Sequence, residues 1–144
     1  MDGERELLGS ARATAMPESV RRAYAFNQTR QAFLASELEV ADTHWSRLKG
    51  LMGRSSSAFA AGKGLWIIPC HGVHTLAMGY AIDVVYLDAA KVVVHVEENV
   101  KPWRVTPLRM DAATVIEVPC HTVWNTGTKI RDQIEIVIQN GDRA

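Results

Sequence analysis

The tripeptide Pro-Cys-His occurs twice in this chain, at residues 69–71 and again at residues 119–121. Thiolate and imidazole groups are ligands that suit Zn²⁺. Adjacent residues of an extended segment point to opposite faces, so a shared zinc site would combine Cys70 and His74 with one or both of Cys120 and His121. The spacing matches no pair of Cys-x-x-Cys knuckles, and the favoured alternative is two buried cysteines with partly exposed histidines.

The same side chains also suit nucleophilic chemistry. Cys70 would act as the thiolate, His74 or His121 as the base, and Asp83 as the acid that orients it, an arrangement used in acyl transfer. No oxyanion hole and no cysteine-enzyme signature accompany Cys70 in the sequence. The sequence therefore favours a non-catalytic domain over an enzyme without deciding between them, and the catalytic candidates are Cys70, His74 and Asp83.

A third interpretation is a pocket that binds a small molecule or a protein partner. Its expected residues are Arg54, His74, Met78 and Asp83. Asp83 interrupts an apolar run, so its carboxylate either projects into that pocket or is satisfied by nearby backbone N–H groups. Glu117 has the same two interpretations. Trp66, Trp103 and Trp124 are interpreted as core or lid residues, because no basic interleaving surrounds them.

Alternating apolar and polar residues predict the elements that position these groups. The pattern predicts strands at residues 33–40, 64–68, 82–87, 91–96, 114–118 and 133–139, with a hairpin turn at Asp88-Ala89-Ala90. A short amphipathic helix is expected from Asp42 or Thr43 to Gly53. The absence of strand–helix alternation favours a mostly β (α+β) fold with a compact, antiparallel, barrel-like sheet and one or two short helices.

Length and composition limit the class of protein. The 144 residues fit a single domain at residues 23–144, preceded by a flexible N-terminal arm at residues 1–22. Sixteen basic residues balance sixteen acidic ones, so neither nucleic acid nor a membrane is expected as a partner. No apolar run is long enough to cross a bilayer, and no export signal is evident. The expected compartment is the cytoplasm, where the two cysteines would be thiols or ligands rather than a disulfide.

Four segments together resemble one protein family. They are residues 47–54 (RLKGLMGR), 64–69 (GLWIIP), Met78 with 82–88 (IDVVYLD), and 115–119 (VIEVP). In this order, from about Asn27 to Ile138, they resemble the DUF192 (UPF0127) family. The resemblance implies a compact β-rich domain with one or two short helices. It implies little about activity, so the expected function is an uncharacterised binding domain, with a zinc-binding protein or a cysteine-dependent enzyme as the alternative.

Overall fold

The computed structural model describes residues 22–42, 51 and 53–139. Most of the predicted arm and most of the predicted helix at residues 42–53 lie outside these residues; Arg22 begins the first strand. The elements in chain order are β1 (Arg22–Asn27), β2 (Ala32–Ala41), a 3₁₀ turn (Ser56–Phe59), β3 (Lys63–Ile67), β4 (Ile82–Leu87), β5 (Val93–Val100), β6 (Thr114–Pro119), α1 (Thr122–Thr126) and β7 (Ile134–Gln139). No helix within the described residues is long and apolar enough to span a bilayer.

The predicted mostly β fold is confirmed. The strands form one seven-stranded sheet in the order β5-β4-β6-β3-β2-β1-β7. Five of the six strand pairings are antiparallel, as expected, but β2 and β3 are parallel. A parallel pair needs a long crossover, and the 21 residues from Asp42 to Gly62 supply it.

Two elements were not predicted, for different reasons. In β1 the inward positions are Ala23, Ala25 and Asn27, which are too small or too polar to produce an apolar alternation in the sequence. The helix α1 has the sequence TVWNT, whose residues have low helix propensity. This helix therefore depends on tertiary contacts, together with Gly127, which adopts the left-handed conformation (φ 71°) at its C-terminus.

The sheet curls so that its two edge strands meet at one point only. An isolated bridge joins Val92 to Gln133, and the backbone N–H of Val93 donates to the carbonyl of Asp132 at 2.9 Å. Beyond that bridge β5 and β7 separate, because they run in opposite directions from it. The barrel-like description is therefore loose, since a seam stays open beside β5.

Both faces are buried in the central part of the sheet, around β3, β4 and β6. Every strand contributes at least one side chain that is at most 8% exposed to the concave cluster, and those of the edge strands β5 and β7 are Val93 and Ile134. The convex face holds a second cluster, covered by Leu51, Phe59 and the loops around Met78 and Ala112. All six residues of β4 are buried for this reason, which explains why its sequence is a nearly continuous apolar run.

Candidate binding site

Asp83 lies on the concave side of β4, on the same face as Val85 and Leu87, and is completely buried. Its Oδ2 accepts a hydrogen bond from the backbone N–H of Val123 at 3.0 Å, and its Oδ1 accepts one from Asn99 at 2.9 Å. Val123 lies in the first turn of α1, where backbone N–H groups have no partner within the helix. Asp83 therefore caps α1 and fixes it to β5.

Cys120 and His121 precede this helix and reinforce the same junction. His121 has a φ of 77° and its side chain makes no capping hydrogen bond, so the cap comes from Asp83. The thiol of Cys120 donates to Oδ1 of Asn99 at 3.3 Å. Burial, followed by the negative charge of Asp83, raises the pKa of this thiol. A thiol held in its protonated form is a poor nucleophile and a poor metal ligand.

A cavity of about 660 Å³ opens where α1 lies across the open seam from the middle of β5. We call it the seam groove, and its lining residues are Val96, Glu98, Val123, Trp124, Gly127, Thr128, Lys129 and Ile130. Trp124 is 80% exposed and Ile130 is 51% exposed, so large apolar side chains face solvent at its walls. The groove is mostly apolar, with one acidic and one basic side chain at its rim.

The second wall of the seam groove is the loop from Thr128 to Asp132. Asp132 is buried, and its carboxylate accepts hydrogen bonds from Arg30 at 2.9 and 3.1 Å and from Asn27 at 3.0 Å. The backbone N–H of Lys129 also donates to it at 2.9 Å. Burial opposes the charge of Asp132, but the hydrogen bonds from Arg30 and Asn27 lower the pKa of this carboxyl overall. Both walls of the groove are thus held by buried carboxylates.

Cys70, His74 and Met78 lie elsewhere, in the loop that joins β3 to β4 on the convex side. Met78 is 4% exposed and packs in the convex cluster, and Cys70 packs against that cluster. The Sγ of Cys70 donates to the carbonyl of Gly72 at 3.0 Å, and Nδ1 of His74 accepts from the N–H of Leu76 at 3.2 Å. This loop is on the opposite face of the sheet from Asp83. The structure therefore does not bring Asp83 together with Met78.

A second loop, from Lys101 to Met110, pairs with the first. Thr75 is buried, and its hydroxyl donates to the carbonyl of Lys101 at 2.6 Å and accepts from the N–H of Arg104 at 2.8 Å. The hydroxyl of Thr106 accepts from the N–H of Val73 at 2.9 Å. We call residues 70–78 and 101–110 together the loop platform. Its exposed large apolar residues are Leu76, Trp103, Val105, Leu108 and Met110.

Arg54 lies beside β2, apart from both the seam groove and the loop platform. Its guanidinium donates to Glu39 at 2.8 Å, and both line a small cavity of about 60 Å³. Nearby, Glu117 is 2% exposed on the convex face, and neither its Oε1 nor the hydroxyl of Tyr80 has a hydrogen-bond partner. Burial raises the pKa of Glu117 to about 8, and the positive charge of Arg54 opposes this only in part.

The predicted zinc ligands are likewise divided between the two faces. Cys70 and His74 belong to the loop platform, whereas Cys120 and His121 adjoin the seam groove. Among the residues that the structure describes, no group of three or more His, Cys, Asp or Glu side chains is arranged to hold a metal ion. Zinc binding stays a prediction from the sequence, without an assembled site to support it here.

Comparison with known proteins supports the resemblance found in the sequence. The model of DUF192, described as "Uncharacterized ACR", matches residues 25–136. The chain belongs to the DUF192 family. A UPF0127 protein from Thermococcus sibiricus is 27% identical over 114 residues, which are 76% of this chain and 71% of that protein.

Two solved structures share the DUF192 fold of this chain. A protein of unknown function from Novosphingobium aromaticivorans aligns with a TM-score of 0.69 at 18% identity, over 83% of this chain and 89% of that one. A Sinorhizobium meliloti protein, named as a candidate transcription regulator, aligns with a TM-score of 0.70 at 19% identity, over 83% and 95%. At these identities the likeness concerns the fold alone.

The groove residues of this DUF192 domain were not found from the sequence. Trp66 lies in the core as expected, but Trp124 and Trp103 are 80% and 64% exposed. For the loop platform one signal was available, because Trp103 and Val105 lie between Pro102 and Pro107 in a segment that cannot form a regular strand. Large apolar residues in such a segment have no sheet face to pack against. Nothing comparable in the sequence indicates Glu98 or Lys129.

Proposed function

We propose that this DUF192 protein is a binding domain, without catalytic activity, that holds a small amphipathic molecule in the seam groove. The observation that carries the proposal is a mostly apolar cavity of about 660 Å³ with both walls fixed by buried carboxylates. Small-molecule sites commonly measure about 300 to 1,000 Å³ and combine apolar walls with a few polar groups. Fixed walls favour binding because little ordering remains to be done when the ligand enters.

The rim of the groove indicates the chemistry of the ligand. Val96, Val123 and Ile130, with the indole of Trp124, offer an apolar surface. Glu98 and Lys129 add opposite charges, and neither forms an ion pair with another described residue. A molecule with an aliphatic or aromatic body and both an ammonium and a carboxylate group matches this surface. A short apolar peptide has that chemistry.

The edge of β5 favours a small molecule over an added strand from a partner. The pairing of β5 with β4 shifts register near both of its ends. Asn99 has a φ of 54°, and its backbone N–H is already bonded to Asp83. Bulges of this kind shorten and twist an edge, which hinders strand addition.

The absence of activity is supported by the state of the candidate nucleophiles. The Cys120 thiol has a raised pKa, and both oxygens of Asp83 already accept backbone hydrogen bonds. A catalytic acid or base needs a free position from which to reach a substrate. Cys70 lies on the other side of the sheet from Asp83, so the expected Cys–His–acid arrangement is not assembled among these residues.

The experiment that tests this function follows the amide and indole signals of the ¹⁵N-labelled full chain during titration with L-phenylalanyl-L-leucine. Saturable shifts confined to residues 123–130 and to β5 are expected. The N-acetylated, amidated form of the same dipeptide lacks both charges and serves as the matched ligand control. Trp124→Ala, Glu98→Gln and Lys129→Gln should each weaken binding, whereas Trp103→Ala should not. Shifts absent from the groove, or unaffected by these three variants, would contradict the proposal.

A further inference from the structure

Five of the nine large apolar side chains that are exposed among the described residues lie on the loop platform. Trp103, Val105, Leu108 and Met110 are 64%, 73%, 74% and 76% exposed, and Leu76 of the paired loop is 39% exposed. Single exposed apolar residues are ordinary, but a contiguous group usually marks an interaction surface. These five side chains lie on only two loops that are hydrogen-bonded to each other.

These apolar side chains are held in place by the backbone. The N–H of Trp103 donates to the carbonyl of Thr75 at 2.9 Å, and the N–H of Arg109 donates to the carbonyl of His71 at 2.9 Å. Beneath them the hydroxyl of Tyr86 donates to the carbonyl of Pro107 at 2.7 Å. The exposed apolar side chains of the platform therefore project from loops whose backbone is fixed by hydrogen bonds.

The charge on the platform is one-sided. Residues 101–110 contain three basic and no acidic residues. Arg109 is bonded to Asp111 at 3.0 and 3.1 Å, so its charge is locally compensated. Lys101 and Arg104 are exposed and form no ion pair within the described residues. The net charge of the whole chain is zero, so it does not indicate this local excess of positive charge at residues 101–110.

We propose that the loop platform docks onto an anionic lipid surface. Protruding tryptophan, leucine and methionine side chains insert at the level of the lipid headgroups, while Lys101 and Arg104 contact the anionic headgroups around them. Side chains that protrude from a convex surface suit a lipid interface, which deforms around them, better than a protein partner, which must supply matching pockets. The contact is peripheral and does not depend on the proposed role of the seam groove.

The test measures sedimentation of the full chain with vesicles of phosphatidylcholine, with and without phosphatidylserine. Binding is expected only to the vesicles that contain phosphatidylserine, and it should weaken as salt is raised. Lys101→Glu with Arg104→Glu should reduce binding about twentyfold or more, since each basic residue near an anionic surface contributes about fivefold. Leu108→Ser with Met110→Ser should also reduce it.

Two matched controls separate the platform from the rest of the surface. Lys129→Glu with Arg131→Glu reverses two exposed charges elsewhere, and Trp124→Ala with Ile130→Ser removes two exposed apolar side chains of the groove. Both pairs should bind vesicles as the unmodified chain does. The proposal is overturned if the unmodified chain does not bind vesicles with phosphatidylserine, or if the platform variants bind as well as the controls. It is equally overturned if those variants abolish only self-association in solution, because a second copy would then be the occupant.

Discussion

The two faces of the sheet each bury a carboxyl group, and the surroundings of the two groups differ. On the concave face Asp83 is 0% exposed, and both of its oxygens accept backbone hydrogen bonds from α1 and β5. On the convex face Glu117 is 2% exposed, and its Oε1 accepts none. The two buried carboxyl groups therefore differ in hydrogen bonding, because backbone N–H groups reach both oxygens of Asp83 whereas no described donor reaches Oε1 of Glu117.

The difference extends to the surface next to each group. Asp83 and Asp132 hold the walls of the seam groove in place, so that region is suited to binding without rearrangement. The convex side is covered by loops that Thr75 and Thr106 join by hydrogen bonds, and five large apolar side chains of these loops are exposed to water. Hydrogen bonds from buried polar side chains thus fix both surfaces: Asp83 and Asp132 hold the seam groove, and Thr75 and Thr106 hold the loop platform.

Glu117→Gln tests the convex side of this comparison and has the largest expected effect. The pKa of Glu117 is raised from 4.5 to about 8 in the folded protein, so the unfolded chain releases the proton first as pH rises. Protonation of Glu117 therefore stabilises the folded state. This contribution to the free energy of unfolding is fully present below pH 4.5 and is lost as pH rises through 8. In that window the free energy of unfolding should fall by about 1.4 kcal/mol per pH unit.

Urea unfolding at a series of pH values checks this dependence. Glu117→Gln should remove the slope, whereas Glu135→Gln, on the exposed side of β7, should retain it. Equal slopes for the unmodified chain and Glu117→Gln would show that Glu117 does not differ from an exposed carboxyl.

Asp83→Ala tests the concave side. It leaves the backbone N–H groups of Val123 and Asn99 without partners, so the free energy of unfolding should fall by about 3 kcal/mol. Asp83→Asn keeps one acceptor oxygen and should recover part of the loss. Thermal unfolding measures both variants, and a loss below about 1 kcal/mol for Asp83→Ala would contradict its role as the cap of α1.

Asp132→Ala should be next in size, with a loss of about 2 kcal/mol, because Asn27 and Arg30 lose a shared acceptor. Arg30 is partly exposed and can be solvated by water, which limits the cost. Amide hydrogen exchange should become faster from Thr128 to Asp132 before it does in β4. Uniformly faster exchange would mean that this network does not specifically hold the groove wall.

Gly72→Ala tests how closely the two platform loops must approach. An added Cβ would lie 3.0 Å from the carbonyl oxygen of Pro107 and 3.2 Å from Cδ2 of Leu108. We expect a loss of about 1 kcal/mol, since the loops must separate by a few tenths of an ångström. Gly79→Ala is the control, because nothing lies within 4 Å of its added Cβ. Equal stability of the two variants would indicate that the loops are free to move apart.

Leu108→Ser and Met110→Ser should have the smallest effect on stability, within about 0.5 kcal/mol, because both side chains are already in water. Chemical denaturation measures this, with Leu87→Ser, at a completely buried position, as the contrasting variant. A large loss at Leu108 or Met110 would mean that they support the fold instead of forming a surface for binding.

Local pattern was sufficient for the strands whose residues are chemically distinct. Predicted strands at residues 33–40, 64–68 and 82–87 correspond to β2, β3 and β4, because alternation or a doubly buried run is visible in the side chains themselves. The strand β1 escaped prediction because its inward residues are small, and α1 because its capping group, Asp83, is 40 residues away in the chain. Neither signal exists in a local window of sequence.

For the candidate site, the sequence identified Asp83 and Cys120 as residues of interest but not their roles. Their partners, Asn99 and Val123, come from other elements, and only the curled sheet brings them together. The structure does not bring Asp83 and Met78 together in one pocket, since the alternation within β4 directs Asp83 to the concave face while Met78 packs on the convex one.

By itself, the amino-acid sequence determined the mostly β fold, the family and the positions of most strands, because these depend on short-range alternation and on motifs in order along the chain. The tertiary structure decided which carboxylates find donors, where the seam opens, and which charges and apolar side chains share a surface. Those properties depend on residues distant in sequence that meet only in the folded chain, so no local pattern and no net charge can report them.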